Sequence, residues 1–157
     1  MNDARALWDA AAESMAPEQR QARQLKGVQA LLAWVKARAP MQRERLARVD
    51  PAAVRSLDDF AALVPLSTKD ELRAAMDRYG SALPHLCVPR EDIVLSGPSA
   101  GTSGRQTYQA FDAHDLDRNV ELAARLFWCS GLRPGDVLQM LVTPFTPAGD
   151  LDEQAVR

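Results

Sequence analysis

Residues 99–105 read Ser-Ala-Gly-Thr-Ser-Gly-Arg, a run in which hydroxyl side chains are interleaved with glycines and a cation follows. These are residue types that grip a polyphosphate. Glycine lets backbone amides come close and turn toward an anion, and each hydroxyl adds a short donor. Ser99, Thr102, Ser103 and Thr107 supply such hydroxyls, and Arg105 brings positive charge to the rim. The chemistry they suit is binding the triphosphate tail of a nucleotide.

Other readings of the same residues are weaker. A Walker A loop needs Lys and then Ser or Thr after its last glycine, whereas Gly104 is followed by Arg105 and Gln106; the glycine spacing also fails the dinucleotide fingerprint. Gly97-Pro98-Ser99-Ala100-Gly101 formally matches the nucleophile elbow of α/β-hydrolases. That elbow leads directly into a helix and needs an acid and then a histidine well downstream. Here Thr-Ser-Gly and a β-like run follow, and His114 is too near. The bland alternative is a plain surface loop.

The elements that must hold this segment can be read on either side of it. The stretch 96–107 is so rich in Gly, Ser, Thr and Pro that it is expected to be a loop. Ile93, Val94 and Leu95 before it read as a short buried strand, and 108–111 return to β-like composition. Asp112 or His114 then opens a helix with Leu116, Val120, Ala123 and Phe127 on one side, closed by Gly131 in a left-handed conformation. Pro134-Gly135-Asp136 is a turn, and 137–142 a second apolar strand. Residues 143–149 read as another loop, and 150–157 as no convincing element.

Upstream, Leu25, Val28, Leu31, Leu32 and Val35 recur at helical steps and predict an amphipathic helix over 17–38, ended near Pro40. Asp50-Pro51 leads into a short helix with Leu57, Phe60 and Leu63 on one face. Thr68 and Glu71 have capping-box spacing, which predicts a helix over 69–78. The expected organisation is a helical region over 1–90 and a partial α/β region over 91–157, together a single truncated domain. The fold class is α/β, or α+β within this length: a helical first half and then the start of a mixed sheet, incomplete.

Bulk properties narrow the partners. Lys plus Arg number 19 against 21 for Asp plus Glu, a near balance that gives no reason to expect nucleic acid or an anionic membrane. The basic residues concentrated before position 49 read as solvated helix faces. No apolar run suits a membrane span and the start lacks a secretory signal, so a cytoplasmic location is expected. Cys87 and Cys129 lie far apart and read as small packing residues; with His85 and His114 they form no metal-ligand spacing.

Residues 99–104 resemble the Ser-Ser/Ala-Gly-Thr-Thr/Ser-Gly signature of adenylate-forming enzymes, the group of acyl- and aryl-CoA ligases, luciferases and peptide-synthetase adenylation domains. Further matches are similar to the phenylacetate-CoA ligase branch. They are Ser56-Leu57-Asp58-Asp59-Phe60, the run from Val64 through Pro65, Thr68 and Lys69 to Arg73, Asp115-Leu116-Asp117, and the Gly131-x-x-Pro134-Gly135-Asp136 turn. The resemblance covers roughly 25–142.

The resemblance implies an enzyme that joins a carboxylic acid, often aromatic, to ATP with Mg2+ as an acyl-adenylate, then passes the acyl group to coenzyme A. Carried over by position, Ser99, Gly101, Thr102, Ser103 and Gly104 would be ATP phosphate contacts, with Thr107 a further hydroxyl beside them. Gln106 stands where the family usually has Pro, and Ala100 where this branch more often has Ser. The adenine, ribose and magnesium segments and the adenylation Lys have no counterpart here, so no catalytic residue and no metal ligand are assigned. A phosphate loop alone supplies positioning but not charge neutralisation, so the chain is expected to be inactive by itself. It would need a complementing protein chain. The other expectation is a non-catalytic interaction module, with Phe127, Trp128 and Trp34 as a docking patch.

Overall fold

Helix α2, Pro17–Arg38, follows from its apolar spacing, and Pro17 at its first position has no amide proton to leave unsatisfied. The computed structural model describes residues 7–99, 105–139, 141 and 147–156. They fall into two compact units, Met15–Arg90 and Met1–Ser14 with Glu91–Arg157. The described residues are helical for the most part and carry a small two-stranded sheet.

In the first unit Leu32 is buried with Leu46, Val49 and Val54, and Leu25, Val28, Val35, Phe60 and Val64 pack around them. Two polar side chains of α2 tie the 46–54 segment to this core. Gln29 Nε2 donates to the Val54 carbonyl at 2.7 Å, and Lys36 Nζ to the Val49 carbonyl at 2.6 Å. Leu31 lies outside the core, on the exposed side of the helix.

Pro40 does more than end α2: it opens α3, Pro40–Arg45, whose Met41 is buried. Proline's fixed φ suits a first helical position as well as a stop. Asp50 caps a single 3-10 turn, Pro51–Ala53, and Ser56 caps α4, Leu57–Leu63. The capping box forms as the spacing requires: Thr68 and Glu71 each accept from the other's amide, and α5 runs Lys69–Tyr79 to a left-handed Gly80.

In the second unit α1, Ala10–Glu13, precedes a hairpin of β1, Ile93–Pro98, and β2, Tyr108–Asp112, paired antiparallel with an irregularity between Ile93 and Leu95. Strand β1 is half-buried instead of buried, with Val94 on its open face. Helix α6, Ala113–Cys129, starts at its Asp112 cap, and α7, Pro147–Ala155, packs against it. Helix α7 falls where a loop and no convincing element were expected. The expected strand over 137–142 is not formed among its described residues, 137–139 and 141. Val137 is 99% and Leu141 89% exposed, and a strand exists only where a neighbour receives its hydrogen bonds.

Candidate functional site

The hairpin decides where the hydroxyl-rich segment sits. The last ladder pair is Pro98 with Tyr108, and one step beyond it the Ser99 amide donates to the Thr107 carbonyl at 2.7 Å. The side chains of the same two residues meet as well, Ser99 Oγ lying 2.9 Å from Thr107 Oγ1. Both ends of the segment are thus held at one point at the tip of the strand pair. Thr107 is buried, and an unpartnered buried hydroxyl would cost about 1–3 kcal/mol, so the Ser99 contact also satisfies it.

Of the candidate phosphate contacts, Ser99 and Thr107 are therefore brought together. Gly101, Thr102, Ser103 and Gly104 lie outside the described residues. Arg105 and Gln106, on the return to β2, are exposed.

The turn at 133–136 explains its own sequence. The Asp136 amide donates to the Arg133 carbonyl at 3.0 Å, and the Arg133 amide to Asp136 Oδ2 at 2.7 Å. Pro134 presets φ at the second position and Gly135 takes φ +94° at the third, the combination a type II turn requires. Arg133 also closes α6. Its Nη1 donates to the Trp128 carbonyl at 2.7 Å and the Leu132 carbonyl at 2.8 Å, while its guanidinium lies 3.9 Å from the Trp128 ring centre. A cation at a helix carboxy-terminus meets both its partial negative charge and its unpaired carbonyls.

A cavity of about 510 Å³ opens beside this turn, lined by Trp8, Phe127, Trp128, Leu132, Leu138 and Val156 among others. Trp8 and Trp128 meet edge to face with ring centres 5.4 Å apart, and Trp8 Nε1 donates to Glu121 Oε1 at 2.7 Å. Arg125 is 3.3 Å from Glu121, 3.7 Å from Asp9 and 3.9 Å from Glu13, which pins α1 to α6. Sequence reading missed this cluster, although acids and a base four residues apart at 9 and 13 and at 121 and 125 were a visible signal.

The other singled-out residues are placed as follows. Phe127 and Trp128 are half-buried, whereas Trp34 is exposed, with the Arg38 guanidinium 5.4 Å over its ring. Cys87 is partly buried, but Cys129 is exposed at the end of α6, so it packs less than expected. Burial pushes the His85 imidazole below its usual range, and its Nδ1 has no hydrogen-bond partner. Among the described residues no group of His, Cys, Asp and Glu is arranged to hold a metal ion, and no helix is long and apolar enough to cross a membrane.

Comparison with known proteins gives a consistent answer. The chain is 34% identical over 128 residues to the phenylacetate-coenzyme A ligase of Thermus thermophilus, covering 80% of this chain and 27% of that protein. It is 28% identical over 130 residues to the phenylacetate-coenzyme A ligase of Escherichia coli, with 82% and 28% covered. Among solved structures it matches 2-hydroxyisobutyryl-CoA ligase in complex with 2-HIB-AMP and CoA at a TM-score of 0.73 and 28% identity, covering 87% of this chain and 30% of the other. No family profile matches. Fold and sequence together define the class, that of the adenylate-forming ligases, to whose amino-terminal part this chain corresponds. Within it the chain is similar in sequence to phenylacetate-coenzyme A ligases. It spans between a quarter and a third of the length of these three relatives.

Proposed function

We propose that this chain supplies the phosphate-gripping loop of an ATP-dependent carboxylic acid-CoA ligase acting on aryl acids. The observation that carries the reading is the closure of the hairpin at Ser99 and Thr107, the described residues on either side of 100–106, at the tip of a strand pair. Gly101, Thr102, Ser103 and Gly104 would then meet the β- and γ-phosphates, with Ser99 and Thr107 at the two ends of the set. A structural neighbour in complex with an acyl-AMP and CoA supports the reaction type.

The role of the loop is positioning. Attack of a carboxylate on the α-phosphorus also needs cationic groups and a metal at the developing charge. We assign no described residue to Mg2+ or to coenzyme A, and the chain alone is inactive on this reading. It works in the cytoplasm with a complementing chain that carries the remaining parts.

The test is pyrophosphate release from ATP and phenylacetate in the presence of the remainder of a phenylacetate-CoA ligase as a second polypeptide. Replacing both Thr102 and Ser103 by Ala should lower that rate by at least tenfold, the loss expected for two charge-assisted hydrogen bonds. An unaltered rate in the double variant removes the loop assignment. A second reading, a non-catalytic interaction module, draws on the exposed Leu31 and Trp34 of α2. It predicts a monodisperse chain whose melting temperature ignores ATP.

A further inference from the structure

Gly27 lies in the middle of α2, where a glycine destabilises a helix relative to alanine. Nothing in its own surroundings asks for it. Its φ is not among the positive ones, and a Cβ built on it would meet nothing within 4 Å. The face around it is open as well. Arg20, Gly27 and Trp34 follow one another at intervals of two turns, Arg23 and Leu31 lie a turn to either side of Gly27, and Arg38 lies a turn beyond Trp34. All six are exposed, Leu31 at 55% and Trp34 at 39%, while Leu25, Val28, Leu32 and Val35 turn the other side to the core. Glu18, the acid of this helix, falls on the row of Leu25 and Leu32 and not on the open face. Among the described residues no carboxylate pairs with Arg20, Arg23 or Arg38, and the Arg38 guanidinium lies over the Trp34 ring.

We infer that this face of α2 docks an acidic amphipathic helix of another protein. The partner's backbone crosses at Gly27, its apolar side chains rest on Leu31 and Trp34, and its carboxylates meet Arg20, Arg23 and Arg38. A missing Cβ admits a close helix crossing, and Trp and Arg are the side chains that anchor interfaces. Charge decides among occupants. A second copy of this chain would bring three more guanidiniums and no carboxylate to the contact, so it repels. Nucleic acid or an anionic membrane would answer the cations but gives no reason for a bare backbone between them. The inference gives the interaction-module reading a partner class and stands apart from the phosphate reading, since it involves no residue of 99–107.

The experiment titrates the full chain with a labelled synthetic helical peptide that carries Ala and Leu along one face and Glu on both flanks. The same peptide with Lys for Glu, duplex DNA, and phosphatidylcholine–phosphatidylserine vesicles are the comparisons. The acidic peptide should bind about tenfold more tightly than its Lys counterpart, and Arg20→Glu with Arg23→Glu should remove that preference. Trp34→Ala should weaken it about tenfold. Gly27→Leu should weaken it by a similar factor through bulk at the crossing, yet raise the thermal midpoint of the free chain by about 3 °C, because leucine is the better helix former. No binding of the acidic peptide, equal binding of the two peptides, or unchanged affinity in Gly27→Leu overturns the inference. So does tighter binding of DNA or vesicles, which would mark the face as one for phosphates. A lowered midpoint in Gly27→Leu would mean that the glycine serves this chain's own packing, and overturns it too. None of these outcomes touches the response to ATP, by which the two readings above are judged.

Discussion

The Thr68–Glu71 box, the Asp112 cap and the positive-φ Gly131 are local chemistry, each set by a few neighbours along the chain. Gly135 gives a clean test, because a Cβ added there would meet nothing within 4 Å. Any loss in Gly135→Ala is therefore conformational, from its φ of +94°, and should amount to about 1–2 kcal/mol in urea unfolding. His85 gives a second. Burial holds its folded pKa below 6.5, so below that pH the unfolded chain takes up a proton that the folded chain still refuses. Stability is then full above 6.5 and falls as the pH drops from there toward the lowered folded value. His85→Gln should flatten that decline in urea midpoints; an equal decline in the variant would refute burial as its cause.

At the scale of elements, legibility depended on whether an element carries its own reason to form. Helix α2 was read with its observed ends because an apolar stripe from Leu25 to Val35 lies between two prolines that punctuate the helix. The strand over 137–142 was misread because apolar composition cannot say whether a neighbour exists to pair with it. Helix α3 was missed since Pro40 is equally a stop and a start, and α7 because nine residues with little periodicity leave a weak pattern. Of the site, the loop's residue types were plain, but the Ser99–Thr107 contact needed the register of β1 on β2. The capping box isolates one element's dependence on one residue. Thr68→Ala removes the acceptor for the Glu71 amide and should destabilise the unit holding α5 by about 1 kcal/mol, read from its amide exchange.

Across the whole molecule, apolar burial is uneven. Among the described residues the buried hydrophobic ones, from Leu32 to Ala75, all lie in Met15–Arg90, and both units keep some large apolar side chains in solvent. Leu122 and Leu126 on α6 are 60% and 63% exposed, one helical turn apart on the same face. Val137 and Leu141 are exposed as well, and apolar side chains left in solvent suit the complementing chain proposed above. Replacing Leu122 and Leu126 by Lys separates that role from folding. Exposed positions of this kind move stability by only about 0.5 kcal/mol, so the thermal midpoint of the isolated chain should hold and its aggregation should fall. Pyrophosphate release in the presence of the complementing chain should drop sharply, because two charges would be carried into an apolar contact. A midpoint that collapses would mean the leucines serve this unit's own packing; a preserved midpoint with undiminished release would mean that the complementing chain docks elsewhere.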